Sequence, residues 1–189
     1  MNNHHVFGNG TSRLSIDIDK LEGTKYGCNA IYRDYYTDYL IGKDKNICSE
    51  ILASECWQDR KVVMQTQWRN DSLVREAYEH ITWWKDIVGT NDYTDCGSVA
   101  LTIASQNASD NNDKYIYMYG MDFDDPNSNK INNIYHGTRN YIGRMGQRKG
   151  VTKEFMRVFD IYKDLRYVHV NTRMPEQLAD KDNVLWQMI

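Results

Sequence analysis

The stretch that decides the reading of this chain is Val6-Phe7-Gly8-Asn9-Gly10-Thr11-Ser12, an apolar run that ends abruptly in two glycines around one asparagine. The segment that follows, Leu14 to Leu21, is short and amphipathic, so the order predicted is strand, tight turn, helix. Glycines at such a turn let the backbone take positive φ and come within hydrogen-bond distance of a ligand, and a helix start offers free N–H groups to an anion. A phosphate or nucleotide is the natural guest. Gly-Asn-Gly is also ordinary turn chemistry, so the rest of the chain has to weigh in.

Working outward, strand-like runs recur at His5 to Gly8, Lys25 to Cys28, Tyr39 to Gly42, Val62 to Gln65, Tyr115 to Tyr119 and Tyr167 to Val170, each short and rich in aromatic or β-branched residues. Between them the spacing predicts helices over Ile47 to Glu55, Ser72 to His80, Ser98 to Gln106 and Thr152 to Tyr162. Alternating strands and helices predict an α/β fold: a single Rossmann-like domain over residues 1–189 with a mostly parallel sheet sandwiched by helices. In such sheets ligands sit beyond the carboxyl ends of the strands, where the strand order reverses, and the glycine-rich turn after the first strand usually lies there. Residues from about 122 to 146, rich in Asn, Gly and Asp, read as a long lid-like loop.

With 23 Lys and Arg against 26 Asp and Glu, the net charge is −3 and the cations are scattered, which argues against nucleic acid as a partner. No apolar run reaches the roughly 20 residues of a membrane span, and the opening residues lack the basic-then-apolar pattern of a signal peptide; a soluble, cytoplasmic protein is expected. The four cysteines, Cys28, Cys48, Cys56 and Cys96, show no CxxC pairing and sit in or beside apolar segments, so neither a disulfide nor a metal site is expected of them. Aromatic residues such as Trp83, Trp84 and Trp186 are expected to pack the core and its rim.

Three further segments join the opening turn: Gly27-Cys28-Asn29-Ala30-Ile31-Tyr32, Asp95-Cys96-Gly97-Ser98-Val99-Ala100, and Ile116-Tyr117-Met118-Tyr119-Gly120-Met121-Asp122-Phe123. In that order and spacing the four resemble motifs of the bacterial lipooligosaccharide sialyltransferases and of the related Rossmannoid group typified by archaeal 6-hydroxymethylpterin diphosphokinase. Those proteins carry Gly-Asn-Gly-Pro-Ser, Arg-Cys-Asn, Thr-Ser-Gly and Gly-Ile-Asp-Phe at matching places. The resemblance covers roughly residues 6 to 170, with Lys43 to Asn91 unaligned. Short stand-alone versions of this fold also look like bacteriophage-encoded proteins.

The resemblance implies that Gly8, Asn9 and Gly10, with Thr11 and Ser12 behind them, approach a nucleotide phosphate, and that Asn29 hydrogen-bonds the nucleotide. An asparagine suits that task, since it offers both donor and acceptor without a charge that would repel phosphate. Gly97 and Ser98 would open a helix pointing at the same cleft, Ser98 donating through its hydroxyl and N–H; the plainer reading is a helix cap at Thr94 or Asp95. Asp122 is the first choice for an active-site carboxylate. Asp122-Phe123-Asp124 also spells the Asp-x-Asp that holds a divalent ion in many glycosyltransferases, but three letters do not commit the chain to a metal.

The chain departs from the pattern further on. Where the resembling enzymes place a general-base histidine before the late helix, this chain has Gln147, Arg148 and Lys149, and the nearby imidazole is His136, which reaches the cleft only if its loop folds back. Arg139, Arg144 and Arg148 are candidates for a phosphate clamp.

Three readings follow. The first is a nucleotide-sugar-dependent glycosyltransferase; the second is a catalytically incomplete domain that binds or sequesters a nucleotide; the third is a diphosphotransferase in which Asp122 and Asp124 hold Mg²⁺. The expected ligand in each is a small-molecule nucleotide or nucleotide-sugar. Self-association is implied by the resemblance, because its members often form oligomers, although no interface stripe is visible.

Overall fold

A computed structural model describes residues 2–87, 95–123, 132–142 and 150–189. Within them the chain forms β1 (His4–Phe7), β2 (Thr24–Cys28), β3 (Tyr39–Gly42), β4 (Lys61–Met64), β5 (Ile81–Trp83), β6 (Tyr115–Tyr119), β7 (Arg166–Val170) and β8 (Val184–Gln187). The α-helices are α1 (Lys45–Ala53), α2 (Cys96–Asp110), α3 (Lys153–Ile161) and the single turn α4 (Glu176–Ala179). The eight strands make one sheet in the order β5-β4-β3-β2-β1-β6-β7-β8, every pair parallel. The sheet is therefore wholly parallel among the described residues, a stronger form of the expected α/β arrangement.

The handedness of parallel crossovers explains the layering. From β1 to β5 the chain steps in one direction, and right-handed connections place α1 and the 3₁₀ turn Asn29–Arg33 on one face. After β5 the chain returns past β1 and steps the other way through β6, β7 and β8, so α2 and α3 fall on the opposite face. Alternation along the strands serves both layers. Val6, Tyr26, Ile41, Met118 and Tyr167 pack against Val99, Leu101, Phe155 and Phe159 of α2 and α3. Phe7, Leu40, Met64, Tyr119 and Val170 pack against Ile47 and Ile51 of α1 together with Ile18 and Ile31.

Two expected helices are absent. Leu14 to Leu21 forms two 3₁₀ turns, Thr11–Ser15 and Ile18–Lys20, because Ile18 is buried while Leu14 is 71% exposed, so no continuous apolar face exists to dock a helix. Ser72 to His80 likewise breaks into the 3₁₀ turns Ser72–Val74 and Tyr78–His80. There the Asp71 carboxylate accepts the Leu73 N–H, and Val74 and Ala77 are buried while Leu73 is exposed. Trp83 and Trp84 are buried as expected, whereas Trp186 on the edge strand β8 is half-exposed and donates its indole N–H to the Asn171 carbonyl.

Candidate functional site

The strand order reverses at β1, and a cavity of about 480 Å³ opens beyond the carboxyl ends of β1, β2 and β6, at the place the sheet topology designates for a ligand. Its walls come from the turn after β1 (Gly8, Asn9, Gly10), the end of β2 (Cys28, Asn29), the start of α1 (Asp44, Asn46, Ile47), the start of α2 (Cys96, Gly97) and the segment after β6 (Gly120 to Phe123). Asn132, Asn133, Asn140 and Tyr141 close it from above, with Phe155 of α3 behind.

The glycine turn is held by the chain itself. The Gly8 N–H donates to the Tyr119 carbonyl at 2.8 Å and the Gly10 N–H to the Gly120 carbonyl at 2.9 Å. A Cβ on Gly8 would lie 2.3 Å from the Gly120 oxygen, and one on Gly10 would lie 2.4 Å from the Asp122 carboxylate. The glycines are therefore required for close approach of two backbones, and their amides are already satisfied within the protein. The Thr11 N–H and hydroxyl both donate to Asn132 Oδ1, and the Ser12 N–H donates to Asp122 Oδ2 at 3.0 Å.

Asp122 is the hub of this junction. Besides the Ser12 N–H, it accepts the Ser12 hydroxyl and, at 2.7 Å, the Asn171 side-chain amide. It ties the segment after β6 to the turn after β1 and to the end of β7. Beneath the turn lies Arg13, which is buried although arginine rarely is. Its guanidinium donates to the Gly8 carbonyl (2.8 Å), Asn9 Oδ1 (3.1 Å) and the Tyr135 hydroxyl (3.0 Å), and packs over the Tyr135 ring. Nothing in the short run Thr11-Ser12-Arg13-Leu14 marks this arginine in the sequence as an internal strut.

The chain matches no known protein family, no curated protein and no solved structure.

At the start of α2 the plainer cap reading holds. Asp95 caps the helix, its Oδ1 accepting the Ser98 N–H at 2.9 Å, and the Ser98 hydroxyl turns back to the Asp95 carbonyl. Ser98 is fully buried and lies outside the cavity lining, so it does not present a hydroxyl to a ligand; Cys96 and Gly97 are the helix residues that face the cavity. Burial pushes the Cys96 thiol well above its ordinary range, and Cys28 beside it adds to the shift. The thiol is thus a neutral wall. It donates weakly to Asn29 Oδ1, and Asn29 itself holds a left-handed backbone at φ 52°, a conformation that asparagine tolerates better than most residues.

The loop does fold back, but it delivers asparagines rather than an imidazole. The Ile134 N–H donates to the Asn9 carbonyl, and Tyr135 donates to Asp34. Arg33 grips Glu50 through Nε and Nη2 while also donating to the Arg139 carbonyl and to the Thr138 hydroxyl. Burial works against the Glu50 charge, yet the Arg33 fork and its charge, with hydrogen bonds from Tyr32 and Asn140, together outweigh it and hold this carboxyl below its ordinary range. His136 and Arg139 are exposed and outside the lining of the cavity. Arg144 and Arg148, with Asp124, Gln147 and Lys149, lie outside the described residues.

A second, smaller pocket of about 260 Å³ lies on the other side of Asp122. It shares Asp122, Phe123 and Asn132 with the first and is completed by Thr11, Ser12 and Ser15, by His169 of β7, and by Asn171, Thr172, Arg173 and Pro175. His169 is 1% exposed, and neither ring nitrogen has a hydrogen-bond partner among the described residues. The Arg173 main chain is near enough to act on the ring's charge without hydrogen-bond geometry. Burial drives the His169 pKa down to about 4 against a smaller opposing pull from Asp122, so the ring is neutral at physiological pH. Two unpaired buried nitrogens are costly, on the order of 1–3 kcal/mol each, and groups of this kind call for an explanation. The one available sequence signal was an ionisable residue inside the apolar run Tyr167-Val168-His169-Val170.

Proposed function

We propose that the cavity at the switch point of the sheet binds a nucleotide and that the chain is a nucleotide-sugar-dependent transferase, the activity implied by its resemblance to the sialyltransferase-like enzymes. The observation that carries this reading is the lining itself, where six asparagines (Asn9, Asn29, Asn46, Asn132, Asn133 and Asn140) surround a glycine-rich floor at the switch point of a parallel sheet. Asparagine amides offer donors and acceptors together, which is what a base edge and ribose hydroxyls need. A volume of about 480 Å³ suits a ligand of nucleotide size. The phosphates would lie toward Cys96 and Gly97, where the dipole of the 15-residue helix α2 favours negative charge.

A second reading, binding or sequestration without turnover, is favoured by two observations: Ser98 is buried, and His136 is exposed and outside the lining of the cavity. The diphosphotransferase reading would need Mg²⁺ held between Asp122 and a residue outside the described ones.

Thermal shift against CMP, CDP, UDP, GDP, ADP and their sugar conjugates, with and without Mg²⁺, tests the site. A ligand at 100 times its Kd adds about 2.7 kcal/mol, or roughly 5 to 10 °C for a chain of this size. Asn29→Gly removes the side chain without straining the left-handed backbone, and it should abolish the shift while leaving the free protein's Tm nearly unchanged. No shift with any nucleotide would defeat the reading. Release of free nucleotide from the stabilising conjugate in the presence of acceptor sugars separates transferase from sequestration, and loss of that turnover on chelation would point to the Mg²⁺ route.

A further inference from the structure

We propose that β8 is a self-association edge, at which a second copy of this chain pairs antiparallel across a two-fold axis and continues the sheet. The edge is unlike the rest of the surface. Of the ten large apolar residues that stand exposed among the described residues, four lie within positions 185–189: Leu185, Trp186, Met188 and Ile189. The run Val184-Leu185-Trp186-Gln187-Met188-Ile189 has no charge and no proline, the devices that blunt natural edge strands. The opposite edge is blunted. β5 is three residues long, its Ile81 and Trp83 are buried, and 3₁₀ turns carrying His80 and Lys85 flank it.

The ladder with β7 decides which backbone groups face outward. The Tyr167 and Asn171 N–H groups donate to the Asn183 and Gln187 carbonyls at 2.9 and 3.1 Å, so those carbonyls point at β7. In a trans peptide the N–H points opposite to the C=O, and a strand repeats every two residues. The N–H groups of Trp186 and Met188 and the carbonyls of Val184 and Trp186 therefore face away from the sheet, while the Lys181 carbonyl takes the Val184 N–H at 3.0 Å. A two-fold axis at Trp186 matches these groups to themselves. The Trp186 N–H meets the carbonyl of the partner's Trp186, and the Met188 N–H meets the carbonyl of the partner's Val184.

The side chains agree with that register. Trp186 stands against the partner's Trp186 and Met188 against the partner's Val184, so no like charges oppose each other, which a self-matched edge requires. Trp186 is already ordered for contact, because its indole N–H donates to the Asn171 carbonyl at 2.9 Å while the residue stays 42% exposed. A single short strand pair makes a small interface, below roughly 1,200 Å² in all, so the association is weak and reversible. β8 stands three strands from β1, so pairing leaves the switch-point cavity open and does not depend on the nucleotide reading.

Sedimentation velocity of the full chain between about 2 and 200 µM spans the range in which so small an interface forms. The 22.2-kDa monomer should pass into a species of twice that mass as the concentration rises. Met188→Pro removes an N–H that only the partner uses and leaves the β7 ladder whole, so the midpoint of association should rise about tenfold or more at unchanged Tm. Leu73→Lys, at an exposed apolar residue on the 3₁₀ turn Ser72–Val74, should leave association unchanged. Register is read by cross-linking. Trp186→Cys puts two thiols across the axis within disulfide reach and should link the copies under mild oxidation, whereas Leu185→Cys, opposite the partner's Gln187, should not. The wild-type chain, whose four cysteines are buried or half-buried, is the unlinked control. A chain that stays monomeric at the highest concentration leaves the edge to a foreign strand and overturns the proposal. Association that survives Met188→Pro, association lost in Leu73→Lys, or equal linking through Leu185→Cys and Trp186→Cys overturns it as well, because the contact would then lie elsewhere.

Discussion

Gly8 and Gly10 have no room for a single extra carbon, and that constraint comes from the neighbouring backbone rather than from any ligand. Gly8→Ala places a Cβ 2.3 Å from the Gly120 carbonyl, which no side-chain rotation can relieve, and Gly10→Ala drives into both Asp122 and Gly120. Each should destabilise the fold by about 1–3 kcal/mol or more, read as a fall in the urea midpoint at constant m-value. Asp122→Asn tests the hub. The amide keeps one acceptor but turns an N–H toward donors on Ser12 or Asn171, so a loss of about 1.5–3 kcal/mol is expected in the same measurement. An Asp122 that served only a bound ligand would leave the free protein's stability untouched.

The segment 132–142 is held over the cavity by side chains from other elements. Tyr135 is its pin, accepting from Arg13 and donating to Asp34 at 2.6 Å. Tyr135→Phe removes one hydroxyl and leaves the buried Arg13 short of a partner. Amide exchange at Ile134 and Tyr141 should quicken by about tenfold, with β1 and β6 unaffected. Sequence patterning served the inner elements well and the outer ones poorly, and the reason is burial. Tyr39–Gly42 and Tyr115–Tyr119 were legible to the residue because packing on both faces demands apolar side chains. β5, Ile81-Thr82-Trp83, is too short to establish a period, and β8 at the sheet edge exposes three of its four residues, so its composition says little. The site divides the same way. Gly8, Asn9, Gly10 and Asn29 reach the cavity because they end strands, which local sequence reveals. That the turn's amides are occupied, that Ser98 points inward and that Arg13 and His169 are buried depend on contacts between elements far apart in the chain, which local patterning does not encode.

At the scale of the molecule, two buried histidines make stability fall as the pH drops below neutrality. Burial lowers the pKa of His169 to about 4 and also lowers that of His5, against an unfolded value of 6.5. Well above pH 6.5 both rings are neutral whether folded or not, and their contribution to stability is complete. As the pH falls, the unfolded chain takes up protons that the native His169 refuses until about pH 4, so stability drains across that window. For His169 alone the loss between pH 7 and pH 5 is on the order of 2 kcal/mol. Urea denaturation at the two pH values should show it, and His169→Gln should flatten the slope.

The sheet order carries a consequence for synthesis. Of the eight strands of this sheet β1 is made first, yet it sits at the centre, flanked by β2 at residues 24–28 and by β6 at residues 115–119. One flank can be covered almost at once; the other stays bare until β6 has been translated, roughly 5 to 20 s later at ordinary rates of about 5–20 residues per second. During that interval the nascent chain presents an open, apolar strand edge containing Val6 and Phe7, the kind of surface that recruits a wrong strand as readily as the right one. Productive folding of this protein therefore depends on what shields that edge while the ribosome is still at work.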